Sequence, residues 1–324
     1  MKKLLKLRSL LVLSIIVFIA CSNSDSDEIN DESSDCVSDI VIDTSRGVCN
    51  ETLTFTTRYS EQIMATNRVI SANSIPDHMV GLFGNVAGSL NPNAISEQSE
   101  TYTITLSPVQ ANSLTALLST SGSGPTAGPQ YSFGVLFNGV ELDPVAAEPF
   151  PHEGFMTPNA NWEWNLEALN VQIGLDCNSA HVQPQGKYHY HGKPSLYLES
   201  LNVSSNTMTL IGYAADGFPI YYKYAYVDAS NNGSTVVEMT SSYQLKPGDR
   251  PGDGITSPCG EYTGVYSNDY EFVDGLGTLD EINGRVGVTP EYPNGTFYYV
   301  LTDAFPSIPR SFKGTPSNDF RIGG

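Results

Sequence analysis

The segment GKYHYHG, residues 186–192, places two histidines one residue apart, alternating with two tyrosines. The whole chain of 324 residues has five histidines, so this segment concentrates an uncommon residue type. On a β-strand, alternate side chains share a face, and residues two apart lie about 6.5–7 Å apart at their Cα atoms. The pattern therefore predicts a strand with His189 and His191 on one face and Tyr188 and Tyr190 on the other.

A third histidine lies nearby in the sequence. His181, in NSAHVQP, precedes His191 by ten residues, and the proline and glycine between them favour a turn that brings His181 back over the strand. Three histidines and one open coordination position suit Zn²⁺ or Cu²⁺. We therefore predict a zinc or copper site at His181, His189 and His191. A metal-free acid–base pair and a structural polar network are the alternatives.

The other two histidines lie in loops, where ligand residues are commonly displayed. His78, in NSIPDHMVG, follows Asp77, which can orient it, and is our candidate fourth metal ligand. His152, in PFPHEG, is interpreted as a histidine of a surface loop.

The histidine segment belongs to a weak internal repeat. LDCNSAHVQPQGKYHYH begins at Leu175, and LDEINGRVGVTPEYPNGTFYYV begins at Leu279. Each copy runs from Leu-Asp through a proline-containing loop and a glycine into an aromatic strand. Tyr298 and Val300 in the second copy occupy the positions of the two histidines of the YHYH segment. Such a strand does not need imidazoles, so the histidines indicate a role particular to the first copy.

The composition and the hydrophobic patterns predict a mainly-β fold. The chain has 29 Gly, 20 Pro, 18 Tyr and 13 Phe, which is typical of many strands and turns. We predict one large domain, residues 36–324, of antiparallel sheets in a sandwich-like arrangement with long loops. The strand candidates are 101–106, a hairpin over 131–142 around Asn138-Gly139, a strand–turn–strand unit over 207–227, and 295–305, and NWEWNLEALNV (161–171) is predicted to be a short helix.

The N-terminal segment indicates export. Residues 1–20 combine a basic start with the apolar run LLVLSIIVFIA, which is too short to span a membrane as a helix. FIAC is similar to a bacterial lipobox, which implies cleavage and lipidation at Cys21; a plain secreted protein is the alternative. The acidic residues 21–35 are predicted to be a flexible tether. We expect an outer-membrane or cell-surface lipoprotein of a bacterium.

The charge excludes one class of partner. The formal net charge is −19, and the predicted signal removes basic residues only. Nucleic acid is therefore excluded as a partner, and membrane contact is expected only through the lipid anchor. The partner candidates are a small molecule, a glycan or a protein of the cell envelope.

The cysteines indicate disulfides. Removing Cys21 leaves four in an exported chain. Cys36–Cys49 is the natural local pair and leaves Cys177–Cys259, although three connectivities are open. Cys177 lies near histidines, as a nucleophile would, but a disulfide is the preferred interpretation.

Several acids are candidates for the chemistry of the site. Asp216, in AADGFPIY, and Glu148, after the predicted hairpin, are the catalytic candidates, and Asp143 is a further carboxylate of the same segment. For Asp216 the alternative is a cap of its own turn. Asp176 recurs as Asp280 in the second copy, which favours a structural role in both loops.

Four further residues are candidates for ligand binding. Arg250 and Arg310 are rare positive charges in this acidic chain, able to bind a carboxylate or phosphate, or to pair within the fold. Tyr188 and Tyr190 are the aromatic candidates. The sequence contains no G-x-S-x-G elbow, phosphate loop or dinucleotide fingerprint.

The motifs LDCNSAHVQPQGKYHYHG, IGYAADGFPIY and LDEINGRVGVTPEYPNGTFYYVLTDAFPSIPRSFKGTP together resemble the YHYH-domain family, from about Ser71 to about Pro316. The resemblance implies an exported or anchored protein and no established activity. Family members often have a cysteine at the position of Ile282, and a Tyr-His-Tyr strand at positions 297–299. Because this chain lacks that cysteine, the disulfide partner of Cys177 stays open, and Cys259 is our candidate for it.

Three functional hypotheses follow. The leading one is a histidine-based metal site that supports hydrolysis or oxidation. The second is a non-catalytic module that binds a glycan or a protein and uses the histidines as a polar network. The third is a scaffold stabilised by Ca²⁺ bound at Asp176, Asp280 and loop carbonyls.

Overall fold

The computed structural model describes residues 40–121, 127–153 and 159–322. The predicted signal (1–20), the predicted tether (21–35) and Cys36 lie outside these ranges. Contacts group residues 36–324 into one compact unit. Within the described ranges no helix is both long enough and apolar enough to cross a membrane.

β-strands account for most of the regular structure, which confirms the predicted mainly-β class. The strands are β1 (Tyr59–Met64), β2 (Asn67–Ala72), β3 (Glu100–Thr105), β4 (Thr115–Ala116), β5 (Leu118–Ser119), β6 (Gly128–Pro129), β7 (Gly134–Leu136), β8 (Glu141–Leu142), β9 (Pro149–Phe150), β10 (Asn161–Asn165), β11 (Ala180–Val182), β12 (Tyr188–Tyr190), β13 (Thr209–Ala214), β14 (Pro219–Tyr222), β15 (Tyr224–Tyr226), β16 (Val236–Glu238), β17 (Tyr243–Leu245), β18 (Tyr270–Phe272), β19 (Gly284–Gly287), β20 (Thr296–Leu301) and β21 (Ser311–Phe312). The helical elements are α1 (Ser195–Ser200) and the 3₁₀ turns Ser267–Asp269 and Asn318–Phe320.

The largest sheet has eight strands in the order β11-β12-β8-β7-β13-β14-β20-β19. Its ladders are antiparallel except for β8–β12 and β14–β20, which are parallel. The sheet is therefore mixed, and the expectation of purely antiparallel sheets was wrong at these two ladders. A parallel pair needs a long connection. The segments between β8 and β12 and between β14 and β20 are long enough to provide it.

The eight strands form two similar halves that meet at the β7–β13 ladder. Each half has an outer hairpin (β11–β12 or β19–β20) joined in parallel to an inner hairpin (β7–β8 or β13–β14). The two Leu-Asp segments of the sequence repeat precede the outer hairpins. Asp176 Oδ1 accepts a backbone N–H from Asn178 at 2.9 Å, and Asp280 Oδ1 accepts one from Ile282 at 3.0 Å. The repeat found in the sequence is thus part of a larger duplication.

The inner hairpins turn at the predicted positions. The 131–142 hairpin turns at Asn138-Gly139, and the 207–227 unit turns at Asp216-Gly217. The glycines have φ of +79° and +92°, in the left-handed region that glycine adopts at no steric cost. The predicted strands at 101–106 and 295–305 are confirmed as β3 and β20.

The predicted helix over 161–171 was wrong. Residues 161–165 form β10, in which Trp162 and Trp164 are buried and Glu163 between them is exposed. This alternation has the two-residue period of a strand with one buried face. The aromatic side chains therefore pack as strand residues, and the acidic residues do not make a helical face.

The disulfide pairing also differs from the prediction. Cys49 is bonded to Cys177, so neither Cys36–Cys49 nor Cys177–Cys259 forms. Cys259 is disulfide-bonded as well. The pairing ties the N-terminal segment to the loop before β11, where Gly47 also forms a parallel bridge to Asp176. A pairing between segments so distant in sequence depends on tertiary structure, which proximity along the chain does not reveal.

Candidate metal centre

Three histidines meet on one face of the β11–β12 hairpin. His181 and His189 are cross-strand partners, and His191 follows β12 by one residue. The Nε2 atom of His191 lies 3.0 Å from Nε2 of His189 and 3.1 Å from Nε2 of His181. Their candidate ligand atoms all lie within 4.8 Å of one another. The structure thus brings together the three histidines predicted from the sequence.

The strand presents its two faces as predicted. The histidines lie on one face, and the Tyr188 and Tyr190 side chains lie on the other, within the main hydrophobic core. Both tyrosines are 0% exposed. Their hydroxyls serve buried hydrogen bonds, so neither ring offers a surface to a ligand.

The hydrogen bonds of the Nδ1 atoms show which ring nitrogens of the histidines face the centre. Nδ1 of His181 lies 2.9 Å from the carbonyl oxygen of Ile173, and Nδ1 of His189 lies 3.3 Å from that of Lys187. A carbonyl only accepts, so each Nδ1 carries the proton. In the neutral rings Nε2 then holds a lone pair, which is the form that binds a metal ion.

Burial keeps these rings neutral. It lowers the pKa of His181, and it lowers the pKa of His189 and His191 well below the ordinary histidine range. The charge that His181 would carry is the second cause for the other two rings. Metal binding requires the unprotonated ligand, so a site of neutral imidazoles is already in the binding form.

The distances fit a shared cation. Zinc binds imidazole nitrogen at about 2.0–2.1 Å, which places tetrahedral ligands roughly 3.3–3.4 Å apart. Two of the separations, 3.0 and 3.1 Å, are slightly shorter, and all three ligand atoms lie within 4.8 Å of one another, so one ion can bridge them after an adjustment of the rings. Without a cation, a proton on His191 can satisfy only one neighbouring lone pair at a time. The donor set of three nitrogens leaves a coordination position open.

Further polar side chains lie on the histidine face of the sheet. Glu141 is the parallel partner of His189, and Lys187 precedes His189 by two residues, so both share its face. The Lys187 ammonium bonds Glu141 at 2.6 Å. Gln183, two residues after His181, also lies on this face. Sequence reasoning did not single out Gln183, Lys187 or Glu141, although the same alternation would have placed the first two.

Asp143 is a second carboxylate in register with the ligands. Its N–H donates to the Tyr190 carbonyl at 2.8 Å, which continues the parallel ladder and pairs Asp143 with His191. Gln183 donates to one carboxylate oxygen at 3.1 Å, and the other, Oδ1, is buried with no partner in the described residues. Burial, and then the charge of Glu141, raises the pKa of Asp143 to about 7.

His78 lies on the opposite side of the strand from the three histidines. Its Nε2 lies 2.6 Å from the Tyr190 hydroxyl, which also accepts from Asn138 at 2.9 Å. Tyr188 donates to Asp176 at 2.8 Å in the same network. The structure therefore does not bring His78 to the other three histidines as a fourth ligand.

The two catalytic candidates lie outside the histidine group. Asp216 accepts from the Tyr299 hydroxyl at 2.6 Å and from its own turn at Phe218, which is the capping role weighed as the alternative. Glu148 is half-buried beside β9, and its carbonyl accepts from Leu166. Asp143, the further carboxylate named with Glu148 in the sequence analysis, is the acid paired with His191.

The remaining candidates are engaged within the fold. Arg250 bonds both oxygens of the buried Asp269, at 2.7 and 2.6 Å. Arg310 bonds both oxygens of Glu167, at 2.9 and 2.8 Å. His152 stacks on Tyr266, whose hydroxyl lies 3.1 Å from its Nε2. The two arginines therefore pair within the fold, which is the alternative given for them above.

Asp176 and Asp280 use their carboxylates for turns. Oδ2 of Asp176 accepts from the Gly81 N–H at 3.0 Å in addition to Tyr188. Among the described residues, the group of His, Cys, Asp and Glu side chains placed to hold a metal ion is the histidine trio. Within the described residues, these two acids are thus not part of a ligand cluster that could bind Ca²⁺.

The comparisons with known proteins agree with the motif. No curated protein and no solved structure matches the chain. A sequence model described as "YHYH protein" matches residues 101–314, which include the whole eight-stranded sheet and all three histidines. This match covers well over half of the chain and places the histidine hairpin inside the shared region. The chain belongs to the YHYH family.

Proposed function

We propose that this protein is an exported, lipid-anchored metalloprotein that binds one zinc or copper ion through His181, His189 and His191. The observation that carries the proposal is the convergence of three Nε2 atoms, with separations of 3.0 and 3.1 Å, on a buried sheet face. The carbonyls of Ile173 and Lys187 hold two of the rings in the tautomer that binds metal.

The arrangement suits hydrolysis or oxidation at the open position. Bound zinc would supply a Lewis acid, and bound copper would supply a redox centre. The chain's own contribution is a set of neutral ligands and, in register with His191 on the neighbouring strand, Asp143, one of whose carboxylate oxygens has no partner among the described residues. This oxygen can accept a proton from a substrate or a water molecule at the site.

The location follows from the N-terminal sequence. Residues 1–20 have the form of an export signal, FIAC has the form of a lipidation site, and the acidic residues 21–35 suit a tether. Mass spectrometry of the membrane fraction tests this part. A mature chain that begins with a lipidated Cys21 supports the anchor, and a mature chain that begins at an unmodified residue rejects it.

Metal affinity tests the site itself. Zn²⁺ and Cu²⁺ are titrated in the presence of a competing chelator into the untagged protein and the His189→Gln/His191→Gln variant. We expect one tight site per chain in the native protein. We expect the variant to lose more than the about 10–100-fold that removal of an outer-shell partner costs.

His152→Asn is the matched control, because it removes a histidine outside the group, and asparagine tolerates the positive φ of 73° at that position. Its metal affinity should equal that of the native protein. Equal affinities in all three proteins would reject the site. The coordination spectrum of the bound copper would show whether three nitrogens bind it.

A second candidate function is glycan binding without catalysis. A cavity of about 400 Å³ at the β15–β16 hairpin is lined by Tyr226 and by uncharged amide and hydroxyl residues, including Asn206, Asn232 and Ser234. An aromatic ring with neutral polar groups suits a sugar. Glycan-array binding that survives loss of both histidines and disappears in Tyr226→Ala would favour this function.

A further inference from the structure

A cavity of about 460 Å³ adjoins the histidine face of the sheet. Ser179 lines it and is the cross-strand neighbour of His191, whose N–H donates to the Ser179 carbonyl at 2.8 Å. Lys193, two residues after His191, also lines it. Its volume lies in the range of pockets that hold small organic molecules, roughly 300–1,000 Å³.

The two carboxylates of this cavity are already paired. Both oxygens of Glu167 accept from Arg310, as described above. Asp303 accepts from the Lys223 ammonium and from the Tyr222 hydroxyl, each at 2.7 Å. Arg310 therefore neutralises Glu167, and Lys223 is shared between Asp303 and Glu238, to which it donates at 3.0 Å.

Within the described ranges, two cations at the cavity have no carboxylate in hydrogen-bond contact. The guanidinium of Arg46 donates to the carbonyls of Leu169, at 2.7 Å, and Ser45, at 3.0 Å. The Lys193 ammonium lies 3.5 Å from Asp303, beyond a normal charge-assisted hydrogen bond. The cavity is thus lined by two cations and two acids, and both cations keep N–H groups that no carboxylate of the described residues accepts.

The environment of Arg46 supports the same inference. Its guanidinium is part-buried, and burial lowers its pKa, although the charges of Asp43 and Glu167 act in the opposite direction. An anion in contact with Arg46 would compensate its charge more fully than the backbone carbonyls do. A guanidinium can bind a carboxylate with two parallel hydrogen bonds, which also fixes the orientation of the ligand.

The other walls suit an organic body attached to the anion. Phe305 and Tyr270 both line the cavity, and their rings stack with centroids 3.9 Å apart. Ser195 also lines it, and its hydroxyl makes no hydrogen bond within the described part of the chain. An apolar wall with a few polar groups is the usual composition of a small-molecule site.

We propose that this cavity is a binding site for a small organic carboxylate. The carboxylate would lie on Arg46 and Lys193, and the rest of the molecule would lie against the Phe305–Tyr270 wall. The inference goes beyond the proposed metal site, because binding depends on the two cations and not on the histidines. Its position beside His191 would place the ligand next to the proposed metal ion.

Calorimetric titration of the purified protein at low salt tests the proposal. The probes are benzoate and galacturonate, each compared with its methyl ester as the matched neutral molecule. At least one carboxylate should bind, and its ester should bind at least tenfold more weakly. Arg46→Met and Lys193→Met should each weaken the carboxylate about tenfold, whereas Arg58→Met, which removes an exposed cation elsewhere, should leave it unchanged.

The metal content of each variant separates this proposal from the metal site. Arg46→Met and Lys193→Met should keep the native metal affinity, and the His189→Gln/His191→Gln variant should keep the carboxylate affinity. Equal affinity for acid and ester, no binding of either acid, or loss of carboxylate binding only in the histidine variant would each overturn the proposal. In the last case the carboxylate would be a ligand of the metal ion.

Discussion

At the scale of single residues, the site depends on imidazoles that folding makes neutral. A histidine in water loses its proton near neutral pH, but burial lowers the pKa of all three rings. Two of them are oriented by backbone carbonyls rather than by acids. The sequence identified the three ligands, because a strand with histidines two residues apart has one chemical face. It could not identify Asp143 as their neighbour, since that depends on a parallel ladder between distant segments.

Asp216 gives a residue-scale prediction about pH. Burial raises its pKa to about 6 from an ordinary value of 3.8, despite hydrogen bonds from Tyr299 and Gly314. The folded state therefore holds this proton more tightly than the unfolded state, so Asp216 contributes stability as pH falls from about 6 towards 4. Relative to Asp216→Asn, the native protein should gain up to about 3 kcal/mol in its free energy of unfolding between pH 7 and pH 4.

Urea unfolding of both proteins across this pH range measures that difference. The comparison removes the contribution of the histidines, which titrate in the same range in both proteins. Parallel pH curves, or a native protein that gains relative stability as pH rises, would contradict the account of Asp216.

Among the elements, the hairpins could be predicted from the sequence, but the strand β10 could not. The turns at Asn138-Gly139 and Asp216-Gly217 follow from local chemistry, because the glycines adopt positive φ. The β10 strand was missed because acidic residues between tryptophans also fit a short helix. Its burial alternates because one face of the strand packs against other segments, as Trp164 does in a hydrophobic cluster with Val265 and Tyr266.

The inner hairpin next to the site gives a prediction at this scale. Gly139 has φ of +79°, and a Cβ there would approach the Cβ of Ala72 to 2.7 Å. Gly139→Ala should therefore cost both conformational strain, about 1 kcal/mol, and the displacement of packed backbone. We expect a total loss of about 2–4 kcal/mol in the free energy of unfolding.

Gly248→Ala is the matched control for this prediction. Gly248 also has φ of +79°, but a Cβ there meets nothing within 4 Å, so it measures the strain alone. Chemical denaturation of both variants gives the difference. A loss at position 139 no larger than that at position 248 would show that the hairpin can move away from β2 at little cost.

At the scale of the molecule, one half of a duplicated sheet holds the site and the other half does not. The Tyr190 hydroxyl forms a hydrogen bond with Asn138 in the first half, and the Tyr299 hydroxyl forms one with Asp216 in the second. The two halves therefore share this contact between a strand tyrosine and the turn of the inner hairpin. The faces that correspond to the histidines differ. Tyr298 and Val300 pack in an apolar cluster with Met208, Met239 and Leu279. The sequence repeat signalled this difference, but its two short segments did not reveal that the inner hairpins are duplicated as well.

The Cys49–Cys177 disulfide gives a prediction for the whole molecule. It closes a loop with a sequence separation of 128 residues, and closing a loop of this size restricts the unfolded chain strongly. The Cys49→Ala/Cys177→Ala variant should lose about 4 kcal/mol in its free energy of unfolding. Denaturant titration under oxidising conditions measures this, with the bond at Cys259 left intact in both proteins. A loss below about 1 kcal/mol would show that the unfolded chain is restrained by other means.

The proposed metal ion is held by His181, His189 and His191. The most direct measurement is elemental analysis of the untagged, exported protein, alongside the His189→Gln/His191→Gln variant, with circular dichroism to show that both are folded. We expect about one zinc or copper ion per native chain and little metal in the folded variant. A native chain free of transition metal after growth and purification in metal-replete conditions, or equal metal in both proteins, would contradict it.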